Sequence, residues 1–281
     1  MKQNQARRDP PWLVAALIAV GVAYLAILLL LPLVTVFAEA LRRGFSYYLG
    51  AIREHDALAA MRLTLLVAAI AVPLNTVFGL AAAWTVTKFD FFGKSALVTL
   101  IDIPFSISPV ISGLVYVLLY GANGWFGPLL DKLGIQVIFN VTGIVLATTL
   151  VTLPFVAREL IPLMQAQGSD EEAAAATLGA GLWRTLFFVT LPNVKWALMY
   201  GVLLCTARSM GEFGAVAVVS GHIRGQTATM PLHVEILYNE YAYVAAFAVA
   251  SLLALFALVT LAVKTLLEAR FGDELAAQRW R

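Results

Sequence analysis

Six long apolar runs dominate this 281-residue chain. A run of about 20 apolar residues is long enough to cross a hydrocarbon core ~30 Å thick. Lipid offers the backbone no hydrogen-bond partners, so only helices and closed barrels span it, and runs this continuous lack the alternation of a barrel. The sequence therefore predicts an all-α polytopic membrane protein, one transmembrane domain over residues 1–281 with six transmembrane helices at 13–37, 58–86, 96–120, 137–160, 196–219 and 244–267.

The composition excludes several other classes of protein. Hydrophobic residues make up 61% of the chain and charged residues only 13%, which is far from a soluble globular protein. The single cysteine, Cys205, lies inside an apolar run, so we expect neither a disulfide framework nor a structural metal site. A net charge of +2 is too small to indicate nucleic acid binding. We expect no cofactor.

The basic residues predict the orientation of the chain. Twelve of the 19 lie in the predicted cytoplasmic segments, three of them near the N-terminus and nine in the other three segments: Lys2, Arg7, Arg8, Lys88, Lys94, Arg158, Arg184, Lys195, Lys264, Arg270, Arg279 and Arg281. The other three loops carry six, namely Arg42, Arg43, Arg53, Arg62, Lys132 and Arg224. By the positive-inside rule we expect both termini to be cytoplasmic, although the arginines in the first outer loop reduce the difference in basic residues between the two sides. The first run is too long for an ordinary signal segment, and we expect it to remain as an uncleaved helix.

A hydrophilic segment at residues 161–195, here called the insert, separates the fourth and fifth apolar runs. Ser169 followed by Glu172 has the spacing of a capping box, and the alanines that follow predict a short helix. We expect Gly179 to end this helix, and a second short helix with an apolar, aromatic face to follow until Pro192 stops it. Such a helix suits docking in a partner's groove, and equally suits resting on lipid headgroups.

The insert resembles the signature cytoplasmic loop of binding-protein-dependent ABC-importer permeases, which reads Glu-Ala-Ala, three residues, Gly, nine residues, Ile, one residue, Leu-Pro. Gly179, Leu191 and Pro192 stand at the family spacing, with Val189 in place of Ile. Glu172 lies seven positions before the glycine instead of six, an offset of about 100° of helix rotation, which leaves open the salt-bridging role that the resemblance implies for it. The resemblance implies an ABC importer type I permease-like fold and a coupling helix seated in a separate ATPase subunit. The residues implied are Glu171, Glu172, Ala173, Ala174, Gly179, Ala180, Leu182, Leu191 and Pro192.

The sequence contains no recognisable catalytic constellation. Gly93-Lys94-Ser95 is not a phosphate-binding loop, because position 88, where that pattern needs a glycine, is a lysine. The three histidines, His55, His222 and His233, fall in predicted outer loops, where solvated side chains are more common than ligands. We therefore expect a non-catalytic permease subunit, with ATP hydrolysed by a partner chain.

Two ionisable residues stand inside the predicted fifth helix. A charge in a span costs about 2 to 3 kcal/mol and needs either a partner or a water-lined cavity. Arg208 and Glu212 are one helical turn apart and can pair along one face. Two interpretations remain open: a gate or path residue that meets an anion, and an internal ion pair that locks the helix bundle.

The predicted third helix carries two prolines within residues 102–109. Each proline removes a backbone donor and frees carbonyls, which Ser106 and Ser108 can satisfy. A kink that faces a path is one interpretation, and local repair of the helix is the commoner role of such serines. For Asp102, near the cytoplasmic end, we expect contact with interfacial water or Lys94.

A second resemblance concerns the substrate. Residues 207–225 are similar to the fifth-helix signature of the sulfate/thiosulfate branch of these permeases, residues 232–241 are similar to its last outer loop, and residues 103–113 show a weaker similarity. A sulfate-like dianion is held by hydrogen-bond donors and guanidinium groups. We expect the translocation path or gate to comprise Arg208, Glu212, Ser220, Arg224, Ser106 and Ser108.

The resemblance also implies partners and a location. They are two copies of an ABC ATPase subunit, a second related permease, a periplasmic sulfate-binding protein and the lipid of a bacterial inner membrane, with no nucleic acid. A permease for another oxyanion such as molybdate remains an alternative. A secondary transporter driven by an ion gradient is another, for which inverted repeats and broken midplane helices are expected and are not apparent in the sequence. The lack of a catalytic constellation disfavours an intramembrane enzyme.

Overall fold

The computed structural model describes the backbone of residues 10–279 and the side chains of residues 10, 12–266 and 269. Lys2, Arg7, Arg8 and Arg281, which contribute to the predicted orientation, lie outside the described residues. The first half of the described chain forms α1 (Pro11–Leu25), α2 (Leu31–Ala40), α3 (Phe45–Arg53), α4 (His55–Lys88), α5 (Lys94–Ser106), α6 (Pro109–Tyr120) and α7 (Gly127–Lys132). The second half forms α8 (Val141–Thr152), α9 (Pro154–Gln167), α10 (Asp170–Thr177), α11 (Leu182–Thr185), α12 (Leu191–Met210), α13 (Gly214–Ser220), α14 (Met230–Asn239) and α15 (Tyr243–Arg279).

The helices confirm the predicted fold class, and residues 10–279 contain no strand. Five helical stretches in the described chain are long and apolar enough to cross a membrane: Trp12–Ala40, His55–Lys88, Val141–Gln167, Leu182–Met210 and Tyr243–Leu266. The predicted third span is instead two helices, because α5 and α6 meet at an angle of 107°. Ile107 and Ser108 are extended there, as residues before a proline commonly are.

The predicted limits of the fifth span are wrong. The helix begins at Leu182, inside the insert, and ends at Met210, so the chain breaks nine residues before the predicted end. Pro192 does not stop a short helix, since the backbone continues through it into α12. The hydrophobic periodicity alone could not show where the fifth span begins, because the apolar residues at the end of the insert belong to the same helix as the span.

Two π-helical segments explain how prolines are tolerated in the spans. Ala26–Leu30 precedes Pro32, and Leu186–Thr190 precedes Pro192. A proline lacks the backbone donor and crowds the carbonyl four residues earlier, which kinks an ordinary helix. A wider turn at that point relieves the crowding and lets the helix run on.

The core of the bundle lies where α4, α9 and α12 pack together. Val72, Val156, Leu160, Val194 and Cys205 form one buried cluster there. A second cluster joins the first half of α4 to α8, α13 and α14, and a third joins α4 and α14 to α15. Since α4 takes part in all three clusters, the two ends of the bundle are named from it. The insert end is the end at Lys88, and the far end is the end at His55.

A side chain of α4 repairs the break between α8 and α9. Pro154 interrupts the series of backbone hydrogen bonds along this helix, and the Leu153 N–H donates to the Leu150 carbonyl instead of a carbonyl four residues back. The Thr149 carbonyl accepts a hydrogen bond from Asn75 Nδ2 at 3.1 Å, and the same nitrogen donates to Thr152 Oγ1 at 2.7 Å. The buried Asn75 therefore ties α4 to the break in this span, where backbone bonds are lost.

Gly79 sets how closely α4 approaches α9. A Cβ at this position would lie 2.7 Å from Val156 Cβ and 3.0 Å from the Ala157 backbone nitrogen. We predict that Gly79→Ala destabilises the bundle by about 1–3 kcal/mol, because the two helices must separate. A thermal-unfolding measurement on the chain in lipid nanodiscs should give a lower melting temperature. Gly21→Ala, where a Cβ meets nothing within 4 Å, is the control, and an equal loss in both variants would contradict the prediction.

Candidate coupling insert and translocation path

The insert is a helix and a turn between the ends of two spans. α9 continues to Gln167 and α11 begins at Leu182, so only residues 168–181 stand outside the span helices. The chain leaves α10 through Gly179 at a φ of +82°, a conformation that glycine adopts without steric cost. This glycine ends α10, as predicted. The capping box does not form, since Ser169 makes no side-chain hydrogen bond to the start of the helix.

Glu172 forms a salt bridge instead of capping the helix. Its Oε1 lies 2.8 Å from Lys88 Nζ, and Thr190 Oγ1 donates to the same oxygen at 3.1 Å. Lys88 also donates to the Gly168 carbonyl. The exposed fractions of the two charged side chains are 7% for Lys88 and 18% for Glu172, so water screens the pair weakly. Glu172 therefore takes part in a salt bridge within the chain despite the one-residue offset.

Neighbouring side chains extend this connection. Glu171 accepts a hydrogen bond from Asn193 Nδ2, and Gln167 Nε2 donates to the Asn193 carbonyl at 3.3 Å. We call the contacts among Lys88, Glu172, Thr190, Glu171 and Asn193 the insert latch. The insert latch joins the last turn of α4, the first turn of α10 and the helix that leads into α12. Displacing α10 therefore displaces two spans.

The surface of the insert carries an apolar face that nothing in the described chain covers. Leu178 is 88% exposed and Phe188 is 78% exposed, and the ring centroids of Trp183 and Phe187 stack 6.3 Å apart. Leu182 is also exposed. A contiguous apolar face of this kind is typical of a protein or membrane interaction site.

The remaining residues of the predicted coupling set lie on or beside this face. Ala173, Ala174 and Pro192 are exposed, whereas Ala180 and Leu191 are half-buried. Exposed alanines on α10 present little obstruction to a neighbouring surface. The set is thus gathered at the insert end of the bundle.

Arg208 and Glu212 form the predicted ion pair. Arg208 Nη1 lies 2.6 Å from Glu212 Oε2, and the glutamate side chain is 1% exposed while the arginine side chain is 34% exposed. The other carboxylate oxygen accepts a hydrogen bond from the Ala215 backbone nitrogen at 3.0 Å. Glu212 therefore holds the start of α13, and one side of the guanidinium remains accessible.

The two broken helices pack against each other. A Cβ on Gly214 would lie 3.0 Å from Pro109 Cβ, and a Cβ on Gly113 would lie 2.8 Å from the Ala215 carbonyl oxygen. The break between α12 and α13 thus sits beside the break between α5 and α6. Ser106 and Ser108 are exposed at the second break, and the Ser108 carbonyl accepts a bond from Ser112 at 3.4 Å. Broken helices, which are not apparent in the sequence, are thus present at both places.

The structure separates Ser220 and Arg224 in environment. Ser220 is fully buried; its Oγ accepts from the His222 backbone nitrogen at 3.0 Å and its carbonyl accepts from Thr227 Oγ1 at 2.6 Å. Arg224 is partly exposed and pairs with Glu240. Their hydrogen bond raises the pKa of the arginine and lowers the pKa of the carboxyl. Ser220 therefore shapes a turn, and only Arg224 of the two offers a charge to solvent.

Two other polar residues differ from the expectations. His233 is 1% exposed, unlike a solvated loop histidine, and burial lowers its pKa. Asp102 pairs with Arg158, whose Nε lies 2.8 Å from Asp102 Oδ1, and not with Lys94. Among the described residues, no group of three or more His, Cys, Asp or Glu side chains is placed to hold a metal ion.

Sequence reasoning missed Lys88 and Asn75. Lys88 counts in the sequence only as a basic residue that reports orientation, and Asn75 is one polar residue in a long apolar run. The signal for Asn75 was its isolation, since a polar side chain in a span needs a partner. For Lys88 no local signal existed, because its partner is distant in sequence.

Comparisons with known proteins place these features in a family. The model of the family described as "Binding-protein-dependent transport system inner membrane component" matches residues 75–273. Two proteins named sulfate transport system permease protein CysW, from Synechocystis and Escherichia coli K12, are 51% and 48% identical. The alignments cover 92% of this chain and 94% and 89% of those proteins. CysT of Escherichia coli K12, also named a sulfate transport system permease protein, is 36% identical, over 89% of this chain and 90% of that one.

The fold matches a solved transporter. A chain of a bacterial alginate ABC transporter, crystallised with an alginate pentasaccharide-bound periplasmic protein, has a TM-score of 0.75. The match covers 92% of this chain and 95% of that chain at 16% sequence identity, a likeness of fold. With the family model covering most of the chain, and relatives aligned almost from end to end, the chain belongs to the inner membrane components of binding-protein-dependent transport systems.

Proposed function

We propose that this chain is the transmembrane subunit of an ATP-driven sulfate importer in a bacterial inner membrane. It lines the anion path and is coupled to two copies of a separate ATPase subunit. A related permease completes the path, and a periplasmic sulfate-binding protein delivers the anion. Family membership and the names of relatives about 50% identical to this chain support this function. Those relatives are named permeases, which agrees with a subunit that does not itself hydrolyse ATP.

The insert supplies the observation that carries the proposal. Its exposed apolar face is held by the insert latch on the ends of two spans. An ATPase that grips this face moves α4 and α12 together, because the buried salt bridge resists separation from α10. The Gly179 turn allows the face to rotate as the ATPase closes.

The sidedness follows from this role. ATP is cytoplasmic, so the insert end must face the cytoplasm, which places both termini there as well. The larger share of lysine and arginine in these segments supports the same orientation. The far end, with Arg224 and the 211–242 region, then faces the periplasm.

The path is proposed at the two packed helix breaks. Arg208 offers a guanidinium to an anion, while Glu212 cancels part of its charge. Partial cancellation suits transport, because a fully exposed positive charge would hold a dianion too tightly to release it. Ser106 and Ser108 offer neutral donors at the adjacent break. Arg224 lies nearer the far-end surface and would meet the anion first, whereas Ser220 contributes only by shaping that turn.

The alternatives are less well supported. A permease for molybdate or another oxyanion would use the same chemistry, but the compared relatives are named for sulfate. Broken helices are compatible with an ion-gradient transporter. The insert argues against one, since a secondary transporter has no use for a docking helix latched to its spans.

Crosslinking tests the docking of the insert. We predict that Ala180→Cys in a Cys205→Ala background crosslinks to the ATPase subunit of the assembled transporter, because the apolar face lies in its groove. The native Cys205 is buried and needs replacing only to remove background. Asn123→Cys, exposed in the loop after α6, is the control and should react with reagents outside intact cells without reaching the ATPase. Labelling of Ala180→Cys from outside would refute the proposed orientation.

A charge-exchange experiment tests the insert latch. We predict that Lys88→Met lowers sulfate uptake by about tenfold while basal ATP hydrolysis remains, because α10 then moves without α4. Exchanging the pair as Lys88→Glu with Glu172→Lys should restore part of the uptake. Lys94→Met, which breaks the exposed pair between Lys94 and Asp90, is the matched control. Uptake reduced equally by Lys94→Met, or no recovery in the exchanged pair, would leave the latch without a coupling role.

Substitutions at the ion pair test the path. Arg208→Gln alone leaves the buried Glu212 unpaired, at a cost of about 3–5 kcal/mol. We therefore predict that Arg208→Gln with Glu212→Gln assembles normally, as judged by copurification with the ATPase, yet transports sulfate at least tenfold more slowly. Glu212→Gln alone should assemble and bind the anion more tightly. Normal transport by the double variant would remove Arg208 from the path.

A further inference from the structure

Arg42 and Arg43 have no role in the function proposed above. They follow Leu41, the residue after the end of the first span at Ala40, at the far end of the bundle. Two adjacent arginines on this side run against the positive-inside trend of the chain. Arg42 contacts Glu39 at 3.3 Å, whereas Arg43 has no carboxylate within ion-pair distance among the described residues.

These arginines line a cleft with three tyrosines. The cleft has a volume of about 350 Å³ and lies between the start of α3 and the turn from α14 to α15. Its lining includes Arg42, Arg43, Tyr47, Tyr241 and Tyr243 and contains no carboxylate. The Arg43 guanidinium sits 5.2 Å from the centre of the Tyr47 ring. A positive cleft with phenol hydroxyls suits a single negatively charged group.

The cleft has a fixed wall and a strained rim. Tyr48 and Ser251 share a hydrogen bond of 3.1 Å, which fixes α3 against the last span. Tyr241 has a φ of +62° where the chain turns out of α14, and its side chain is 79% exposed. Glycine adopts this helix-ending conformation at less cost. A tyrosine there implies a use for its ring, since backbone strain tends to occur where ligands are held.

We propose that this cleft binds the phosphodiester headgroup of an anionic phospholipid in the outer leaflet. The apolar residues of the first span are mostly exposed from Trp12 to Leu31, so that helix meets lipid, and its last turn, half-buried against α15, lies at the headgroup level. Tyrosines are typical of that depth. The guanidinium of Arg43 binds two phosphodiester oxygens, and Tyr241 and Tyr243 close over the headgroup. The lipid thereby adds to the direct contact between α2 and α15.

Two other sources of the same charge fit less well. A free oxyanion such as sulfate would meet an open cleft at the edge of the bundle, away from the two helix breaks of the proposed path. An acidic protein surface would approach the end of the bundle, whereas the cleft lies beside the first span, most of whose residues are exposed. Both remain outcomes of the test below.

The test measures lipid selectivity of the assembled transporter. Electron paramagnetic resonance of spin-labelled phosphatidylglycerol and phosphatidylcholine, in vesicles that contain the purified complex, reports which lipid is held at the protein surface. We expect the wild type to hold phosphatidylglycerol selectively, and Arg42→Gln with Arg43→Gln to lower that selectivity about tenfold, the equivalent of one charge-assisted hydrogen bond. Arg53→Gln, at the end of the short helix α3 and outside the cleft, should leave it unchanged.

Tyr241→Gly separates a binding role from a structural one. It removes the ring and relieves the positive φ, so the melting temperature should be unchanged or higher while selectivity falls. Selectivity that survives in the double arginine variant, or that Arg53→Gln lowers as much, would overturn the proposal. Displacement of the labelled lipid by millimolar sulfate would assign the cleft to free oxyanions, and its displacement only by the binding protein would assign it to an acidic protein surface. Since the readout is lipid contact, it does not depend on the substrate being sulfate.

Discussion

The scarcity of hydrogen-bond partners in lipid governs where this chain is allowed to be irregular. Several breaks and prolines in the spans lie beside something that compensates them. The π segments before Pro32 and Pro192 keep those helices continuous, and Asn75 takes up the Thr149 carbonyl near Pro154. Glu212 accepts the Ala215 backbone N–H where α12 gives way to α13. Prolines therefore bend this bundle without opening it, and the irregular points become places where the helices can pivot.

The same constraint explains the placement of the charges. Burying a single charge is costly. Glu172 and Glu212, whose carboxylates are weakly hydrated, each pair with a basic side chain. The two pairs differ in how accessible the basic side chain remains. Lys88 is enclosed and can only hold the insert, whereas Arg208 keeps an accessible side. One pair is therefore suited to transmit force and the other to meet an anion.

Sequence patterns predicted the spans, the insert and the pairing of Arg208 with Glu212, because each depends on residues close together in the chain. Sequence patterns did not predict features that depend on contacts between segments far apart in the chain. The fifth helix starts early because its π turn accommodates Pro192, and Glu172 meets Lys88 because α4 ends beside α10. His233 is buried by the packing of α14 against α4 and α15. The one-residue offset of Glu172 does not prevent a salt bridge within the chain, since such a bridge depends on tertiary neighbours as well as on helix phase.

The comparisons separate what the fold determines from what it leaves free. A transporter of the acidic polysaccharide alginate shares this fold at 16% identity, while relatives named for sulfate share about half of the residues. A frame common to cargoes so different in size cannot select between them by its backbone alone. Discrimination must reside in side chains at the helix breaks and in whatever delivers the cargo. Under the proposed function, a half-neutralised Arg208 suits this division, because a path that passes every delivered anion needs only weak attraction.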